Sequence, residues 1–252
     1  EYRIYVPRGL DRSRPAPLVI SLHGAGGWPV QQEEMSQWDR IADAQHFIVA
    51  YPSGLSGAGP RVWRGTEDVR FISDLIAKLQ REYNIDRHRI YANGFSNGGG
   101  MSFILSCTMS DRIAAIGLVA SAQTTPFSWC TDRRPVAMIA FHGTADPFTR
   151  YDGGKTWMAP SPFPGIPRFV ANWARRNRCD PRPADASPAA DVTRREYVHC
   201  AEDASVVLYT IRDGGHTWPG GQPLPEWFVG PTSNSIDATR TMWNFFSQHP
   251  LR

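Results

Sequence analysis

The sequence predicts an α/β protein in one domain, residues 1–252, with a mostly parallel central sheet and helices on both faces. Three observations lead to this prediction. Short apolar runs rich in β-branched residues alternate with amphipathic segments along the whole chain, as strands and helices do in such folds. Several runs are apolar almost throughout and end in glycine, which is typical of parallel strands buried on both sides. The 252 residues are 41% hydrophobic, enough for a sizeable core.

The apolar runs are the expected strands of this sheet. Each is followed by glycine, proline or a polar turn, which gives the run a defined end. In chain order the predicted strands are YRIYVP (2–7), APLVISLHG (16–24), HFIVAYPSG (46–54), RIYANGFS (89–96), IAAIGLVASA (113–122), PVAMIAFHGTADP (135–147) and SVVLYTIRDGGH (205–216).

Helices are expected at 67–83, 101–107, 166–177 and 234–249. The first has apolar residues three and four positions apart and two acidic residues at its start, where the helix dipole favours them. Pro167 suits the first turn of the third helix, and Ser235 is the expected N-cap of the fourth.

Three segments interrupt the pattern. Residues 151–166 and 218–234 are rich in proline, glycine and aromatic residues, and we expect them to be long surface loops with a functional role. Residues 180–191 contain few apolar side chains and are expected to be a solvated excursion.

The charge balance excludes some classes of partner. The formal net charge is +3, and the dense basic cluster Arg175, Arg176 and Arg178 is expected to be a solvated helix face. No basic stripe lies on a recognisable module, so no nucleic-acid partner is predicted. No run of 18 apolar residues occurs, so no membrane span is predicted.

The four cysteines, Cys107, Cys130, Cys179 and Cys200, lack CxxC spacing, and no metal site is predicted. Their even number fits two disulfides in three possible pairings. The most local pairing joins Cys107 to Cys130 and Cys179 to Cys200. Disulfides indicate an oxidising compartment, and the alternative is four free thiols in a cytosolic protein. Because strand-like sequence begins at Glu1, we expect a mature or trimmed domain.

Ser96 is the candidate nucleophile. It lies in the pentapeptide Gly94-Phe95-Ser96-Asn97-Gly98, between a predicted strand and a predicted helix. A G-x-S-x-G sequence in this setting forms a sharp turn that exposes the serine hydroxyl, and the flanking glycines avoid crowding it. The alternative is an ordinary glycine-rich turn between strand and helix.

A serine nucleophile needs a base, and the base needs an acid that orients it. Asp146 and His216 each follow a predicted strand, in the chain order Ser, Asp, His that this arrangement requires. Three other acids fit this role less well. Asp132 precedes its strand, Asp152 lies in a loop, and Asp213 is too near the base in sequence.

The remaining histidines fit the base less well than His216. His23 and His142 are each followed by glycine at a strand end, which favours structural roles. The others are expected at the surface or in ordinary packing: His46, His88, His199 and His249.

Acyl transfer to a serine also needs donors for the developing oxyanion. The backbone N–H groups of Asn97 and Ala25 are the candidates, with Gly24 or Gly26 as alternatives to Ala25. Ala25 lies in LHGAGG (22–27), a glycine-rich turn after an early strand. A phosphate-binding interpretation is poor because the turn has no Walker pattern and no lysine.

The motifs LHGAGG, GFSNGGGM, FHGTADP and GGHTWPGG, in this order, resemble those of the extracellular esterases that include feruloyl esterases of carbohydrate esterase family 1 and polyhydroxybutyrate-depolymerase-like enzymes. The resemblance covers nearly the whole chain. It implies an α/β-hydrolase fold, secretion, a catalytic triad of Ser96, Asp146 and His216, and no metal or other cofactor. It also implies a bridge between Cys179 and Cys200.

The expected function is therefore that of a secreted serine esterase that releases hydroxycinnamic acids from plant polysaccharide esters. The alternatives are a polyester depolymerase, a short-chain (acetyl) esterase and, more remotely, a non-catalytic binding protein. Trp218, Trp63 and Trp157 are the candidate substrate contacts, because exposed tryptophan can stack on phenolic groups or sugars. The long loops 151–166 and 218–234 are expected to form the pocket walls in place of a large helical lid.

Overall fold

The computed structural model describes residues 1–56, 59–123, 125–156 and 162–252. Its strands are β1 (Tyr2–Tyr5), β2 (Ala16–Leu22), β3 (Ile48–Pro52), β4 (Ile85–Phe95), β5 (Ala115–Val119), β6 (Ala137–Gly143), β7 (Gly153–Gly154), β8 (Phe163–Pro164), β9 (Ala184–Ala189), β10 (Val192–Tyr197) and β11 (Val206–Ile211). Its helices are α1 (Pro29–Ser36), α2 (Trp38–Gln45), α3 (Thr66–Glu82), α4 (Asn97–Thr108), α5 (Ile166–Arg176), α6 (Glu226–Val229) and α7 (Ala238–Ser247).

Within the described residues, one sheet of nine strands has the order β1-β3-β2-β4-β5-β6-β11-β10-β9. The strands from β3 to β11 in this order are parallel, whereas β1, β10 and β9 pair antiparallel at the two edges. The short strands β7 and β8 pair only with each other. The predicted mostly parallel sheet is confirmed.

The central strands are buried because helices cover both faces of the sheet. All residues of β2, β3, β5 and β6 are buried, which explains their apolar composition. Alternate side chains serve opposite faces. Leu18 and Ile20 pack in the cluster that includes α3, α4 and α5, and Val19 packs in the cluster that includes α1, α2 and α7.

Several elements differ from the sequence prediction. Helices α1 and α2 were not predicted, and α1 lacks a clear apolar stripe because its buried face includes Gln32 and Ser36. Helix α4 begins at Asn97 and not at residue 101, so it includes the glycines. The N-cap of α7 is Asp237 and not Ser235, since the Asp237 carboxylate accepts the Arg240 N–H at 2.9 Å.

The segment 180–191 is also more regular than predicted. It contains β9, an edge strand that is almost entirely exposed and pairs with β10. An edge strand of this kind requires only backbone pairing on one side, so it carries no apolar signal. Neither β9 nor β10 was predicted.

Both disulfides have the local pairing. Cys107 in α4 is bonded to Cys130, and Cys179 is bonded to Cys200, which encloses the β9–β10 hairpin. The second bridge is the one that the family resemblance implied. None of the helices in the described ranges is long and apolar enough to cross a bilayer.

Candidate active site

Ser96 lies in a sharp turn between β4 and α4. Its backbone angles, φ 53° and ψ −118°, are unusual for a residue with a side chain, and such strain persists only where the surroundings impose it. The Ser96 N–H donates to Val119 O at 2.9 Å. A Cβ atom on Gly94 would lie 2.3 Å from the Gly98 carbonyl carbon, so only glycine fits there. The turn is therefore built around the serine.

The first turn of α4 packs closely against two neighbouring loops. A Cβ atom on Gly98 would lie 2.2 Å from Leu22 O, in the segment that leads to the loop after β2. A Cβ atom on Gly99 would lie 2.6 Å from Ser121 Cβ, in the loop after β5. The glycines that look unfavourable for a helix therefore permit the close approach that brings this helix to the carboxyl edge of the sheet.

Asp146 and His216 follow β6 and β11, which are adjacent parallel strands. The His216 Nδ1–H donates to Asp146 Oδ2 at 2.7 Å, and both residues are buried. Asp146 Oδ1 accepts the backbone N–H groups of Phe148 at 2.8 Å and Thr149 at 2.7 Å. The turn that carries the carboxylate thus holds it in place, and the carboxylate in turn fixes the orientation of the imidazole ring through Nδ1.

The electrostatics keep this carboxylate ionised. Burial by itself would raise the pKa of Asp146, but hydrogen bonds from His142 and His216 outweigh burial and lower this pKa below its ordinary value. His142 Nε2 lies 2.7 Å from Thr149 O and 3.4 Å from Asp146 Oδ2. It therefore ties together the two ends of the acid turn, in agreement with the structural role expected for it.

The three other candidate acids lie elsewhere. Asp132 forms an ion pair with Arg176, and Asp152 and Asp213 are exposed. Among the described residues, Asp146 is the carboxylate that forms a hydrogen bond with His216.

Ser96 and His216 line the same cleft, which has a volume of about 330 Å³. The rings of Phe95 and Phe148 flank the imidazole, with centroids 4.8 Å and 5.2 Å from its own. The hydrogen bonds of the described residues do not include one between the Ser96 hydroxyl and His216. Such contacts are often loose without substrate and tighten when it binds.

Backbone N–H groups beside Ser96 are available to an anion. Among the described residues, the N–H groups of Asn97, Ala25 and Gly24 donate to no protein acceptor. Asn97 follows Ser96 directly, and Ala25 and Gly24 line the cleft. By contrast, the N–H of Gly26 donates to Arg61 O at 2.7 Å, and that of Gly27 donates to Gly24 O at 3.0 Å. Gly26 is therefore unsuitable as the second donor, whereas Ala25 lines the cleft and is available.

Trp63 connects the two parts of this candidate oxyanion hole. Its indole N–H donates to His23 O at 2.9 Å, and its backbone N–H donates to Asn97 Oδ1 at 2.7 Å. The Asn97 side-chain amide returns a bond to Trp63 O at 3.3 Å. His23 Nε2 accepts the Gly54 N–H at 3.0 Å, so its Nδ1–H is left to donate to Gly24 O at 2.7 Å. The loop is thus anchored on both sides.

The predicted tryptophan contacts need correction. Trp218 is 1% exposed, and its indole N–H donates to Thr239 Oγ1 at 2.9 Å inside the core. Trp63 is 5% exposed and does not line the cleft. Both rings are buried in the packing and form internal hydrogen bonds, so neither exposes a face to a substrate. Trp157 lies outside the described residues.

The cleft is lined instead by side chains that the sequence did not single out. From α1 come Gln31, Gln32 and Met35, and from the 218–234 loop come Leu224, Pro225, Phe228 and Val229. That loop forms a wall as predicted, and it contains the four-residue helix α6. No described residue of 151–166 lines the cleft. The contribution of α1 was missed because this helix has no amphipathic signal.

Comparison with known proteins gives relatives along almost the whole chain. No family model matches it. Feruloyl esterase B of Piromyces equi is 31% identical over 228 residues, 86% of this chain and 42% of that protein, so the chain spans less than half of that relative. Feruloyl esterase C of Emericella nidulans is 31% identical over 258 residues, 98% of this chain and 83% of that protein.

The solved structures extend the likeness to the fold. The acetyl xylan esterase from Aspergillus awamori superposes with a TM-score of 0.63 at 15% identity. The superposition covers 86% of this chain and 88% of that one. At this identity the likeness concerns the arrangement of strands and helices.

Proposed function

The chain belongs to the α/β-hydrolase esterase family that contains the feruloyl esterases, and from this premise we propose that it is a secreted serine carboxylic-ester hydrolase that releases hydroxycinnamic acids from plant polysaccharide esters. The observation that carries the proposal is the buried 2.7 Å hydrogen bond between Asp146 and His216 at a cleft that also contains the strained Ser96. This is the arrangement that acyl transfer to a serine requires.

In the proposed reaction, His216 Nε2 takes the proton of the Ser96 hydroxyl, whose oxygen attacks the ester carbonyl carbon. The N–H groups of Asn97 and Ala25 donate to the resulting oxyanion. The carbon–oxygen bond to the alcohol then breaks, and His216 returns the proton to the leaving alcohol. Water, activated by the same histidine, hydrolyses the acyl-enzyme and releases the acid. Asp146 remains ionised and holds the imidazole in the required tautomer.

The lining of the cleft supports an aromatic acyl group. Met35, Phe148, Leu224 and Phe228 make its walls largely apolar, and a volume of about 330 Å³ is at the lower end of the range for small-molecule sites. An acetyl group would leave most of this apolar surface without a contact. The cleft therefore favours a hydroxycinnamoyl ester over an acetyl ester. The two disulfides support an oxidising compartment and hence secretion.

A substrate panel tests the function. We expect hydrolysis of methyl ferulate with a higher kcat/KM than that of p-nitrophenyl acetate, and no clearing of polyhydroxybutyrate. The opposite preference would assign the chain to the short-chain or polyester class. Ser96→Ala should abolish turnover and labelling by an organophosphate. Ser106→Ala is the matched control, because this buried serine of α4 donates its hydroxyl to Phe103 O within its own helix. Absence of labelling in the unaltered protein would indicate a non-catalytic protein.

A further inference from the structure

Gln32 is a buried polar residue in the wall of the cleft. It lies on α1, its side chain is 1% exposed, and it lines the same cavity as Ser96 and His216. Its Oε1 has no hydrogen-bond partner among the described residues. Buried polar atoms are nearly always paired, so an unpaired one beside a substrate cavity needs an explanation.

A chain of buried hydrogen bonds fixes the orientation of this amide. Asn93 Oδ1 accepts the Trp38 indole N–H at 3.1 Å, and Asn93 Nδ2 donates to Ile20 O at 3.3 Å. The orientation of Asn93 is therefore set. The Ser21 hydroxyl donates to Asn93 Oδ1 at 2.9 Å, and its oxygen accepts Gln32 Nε2 at 2.9 Å.

Because Ser21 has already given its only proton to Asn93, it can only accept from Gln32. A flipped Gln32 amide would place two acceptors against each other. The amide nitrogen must therefore point into the core, which leaves the buried carbonyl oxygen unpaired in a residue that lines the cleft. The sheet thus holds a single acceptor in a fixed direction.

The surroundings define what this acceptor can bind. The nearby walls are apolar, with Met35 on the same helix and Phe148 and Phe228 elsewhere in the lining. A flat apolar group with one hydroxyl donor matches this combination. A group without a donor would leave the buried oxygen unpaired, and a group that carries only acceptors would be repelled.

We propose that Gln32 Oε1 accepts a hydrogen bond from the phenolic 4-hydroxyl of a hydroxycinnamoyl group, which makes Gln32 a specificity-determining residue for the acyl side of the substrate. This inference rests on the proposed esterase function and deepens it. A site built to bond a substrate hydroxyl discriminates strongly against analogues without it, because its own polar group is then left unpaired.

The test compares kcat/KM for methyl 4-hydroxycinnamate and methyl 4-fluorocinnamate. The two esters differ little in size, but only the hydroxy ester has a hydrogen-bond donor at position 4. We expect the unaltered enzyme to prefer the hydroxy ester by about 10-fold or more. Gln32→Met, which keeps the length of the side chain and removes the acceptor, should reduce the preference to about 2-fold or less. Gln45→Met is the matched control, since this glutamine of α2 also accepts a hydrogen bond, from the Trp243 indole N–H at 3.2 Å, but does not line the cleft, and the variant should leave the ratio unchanged.

A further variant is useful if Gln32→Met fails to fold. Ser21→Ala leaves the glutamine in place but removes the acceptor that orients it, so part of the preference should be lost. Equal rates for the two esters in the unaltered enzyme, or a preference retained in Gln32→Met, would overturn the assignment of Gln32 while the esterase function stands. Hydrolysis of p-nitrophenyl acetate with no hydrolysis of either cinnamate would instead overturn the proposed substrate class.

Discussion

Replacement of Trp63 by phenylalanine tests whether the candidate oxyanion hole depends on the tether that this residue provides. The variant removes the indole N–H that donates to His23 O at 2.9 Å and keeps the backbone contacts to Asn97. The His23 carbonyl then lies buried without this donor, which costs about 1–3 kcal/mol. For a chain of this length we expect the Tm to fall by about 4–8 °C, taking ~2 kcal/mol and about 2–4 °C per kcal/mol.

The catalytic effect should exceed the structural one. The loop that follows His23 carries the Ala25 N–H, and loss of one oxyanion donor costs about 2.7–4 kcal/mol in the barrier. A donor that is displaced but not removed should cost part of this, so we expect kcat to fall by about 10-fold to 100-fold with KM changed little. The assay is steady-state hydrolysis of a soluble ester well below the Tm of the variant.

Trp173 provides the matched control. It is also fully buried, and its indole N–H also donates to a backbone carbonyl, Val136 O, at 3.0 Å, but it lies in the α5 face of the core away from the cleft. Trp173→Phe should lower the Tm to a similar extent and leave kcat within about 2-fold. If the two variants lose kcat equally, Trp63 acts on stability alone and the tether has no catalytic role.

Three further predictions concern stability. The pKa of Asp146 is lowered in the folded state, so the unfolded state binds more protons in acid. The contribution of Asp146 to the free energy of unfolding is full above about pH 4 and is lost as the pH falls through the folded pKa. The Tm of Asp146→Asn should therefore depend less on pH in acid than that of the unaltered protein, and equal slopes would show that the folded carboxylate is unpaired. Gly98→Ala, whose Cβ would lie 2.2 Å from Leu22 O, should unfold at lower denaturant than Gly9→Ala, which has open space; equal midpoints would contradict the packing argument. Reduction of each disulfide, which closes a loop with a sequence separation of 21 or 23 residues, should cost about 3 kcal/mol, and an unchanged Tm in reductant would show that the bridges do not stabilise the fold.

Some errors of the sequence interpretation have a common cause. Trp218 and Trp63 were expected to contact the substrate because they lie near the site motifs in the chain. The structure buries both, since an indole near a strand end can satisfy its N–H on a neighbouring residue and complete the core. Proximity in sequence does not determine which way a side chain points, because this depends on the elements that pack against it.

The sequence by itself determined the central strands, the pairing preference of the cysteines and the order of Ser96, Asp146 and His216 at strand ends. These features depend on local periodicity, on turn chemistry and on the rule that parallel strands end at one edge of a sheet. Short-range physics is sufficient for them, and the fold brings Ser96 and His216 to one cleft, with Asp146 bonded to His216.

Only the tertiary structure decided which groups line the cleft and which are used for packing. Ala25 is distinguished from Gly26 by the partner of each N–H and by its place in the cleft lining. The orientation of Gln32 depends on its bond to Ser21 of β2 and on the bond from Ser21 to Asn93 of β4. Such outcomes depend on contacts between residues far apart in the chain. The sequence therefore indicates an esterase, whereas the packed fold decides what the cleft can recognise.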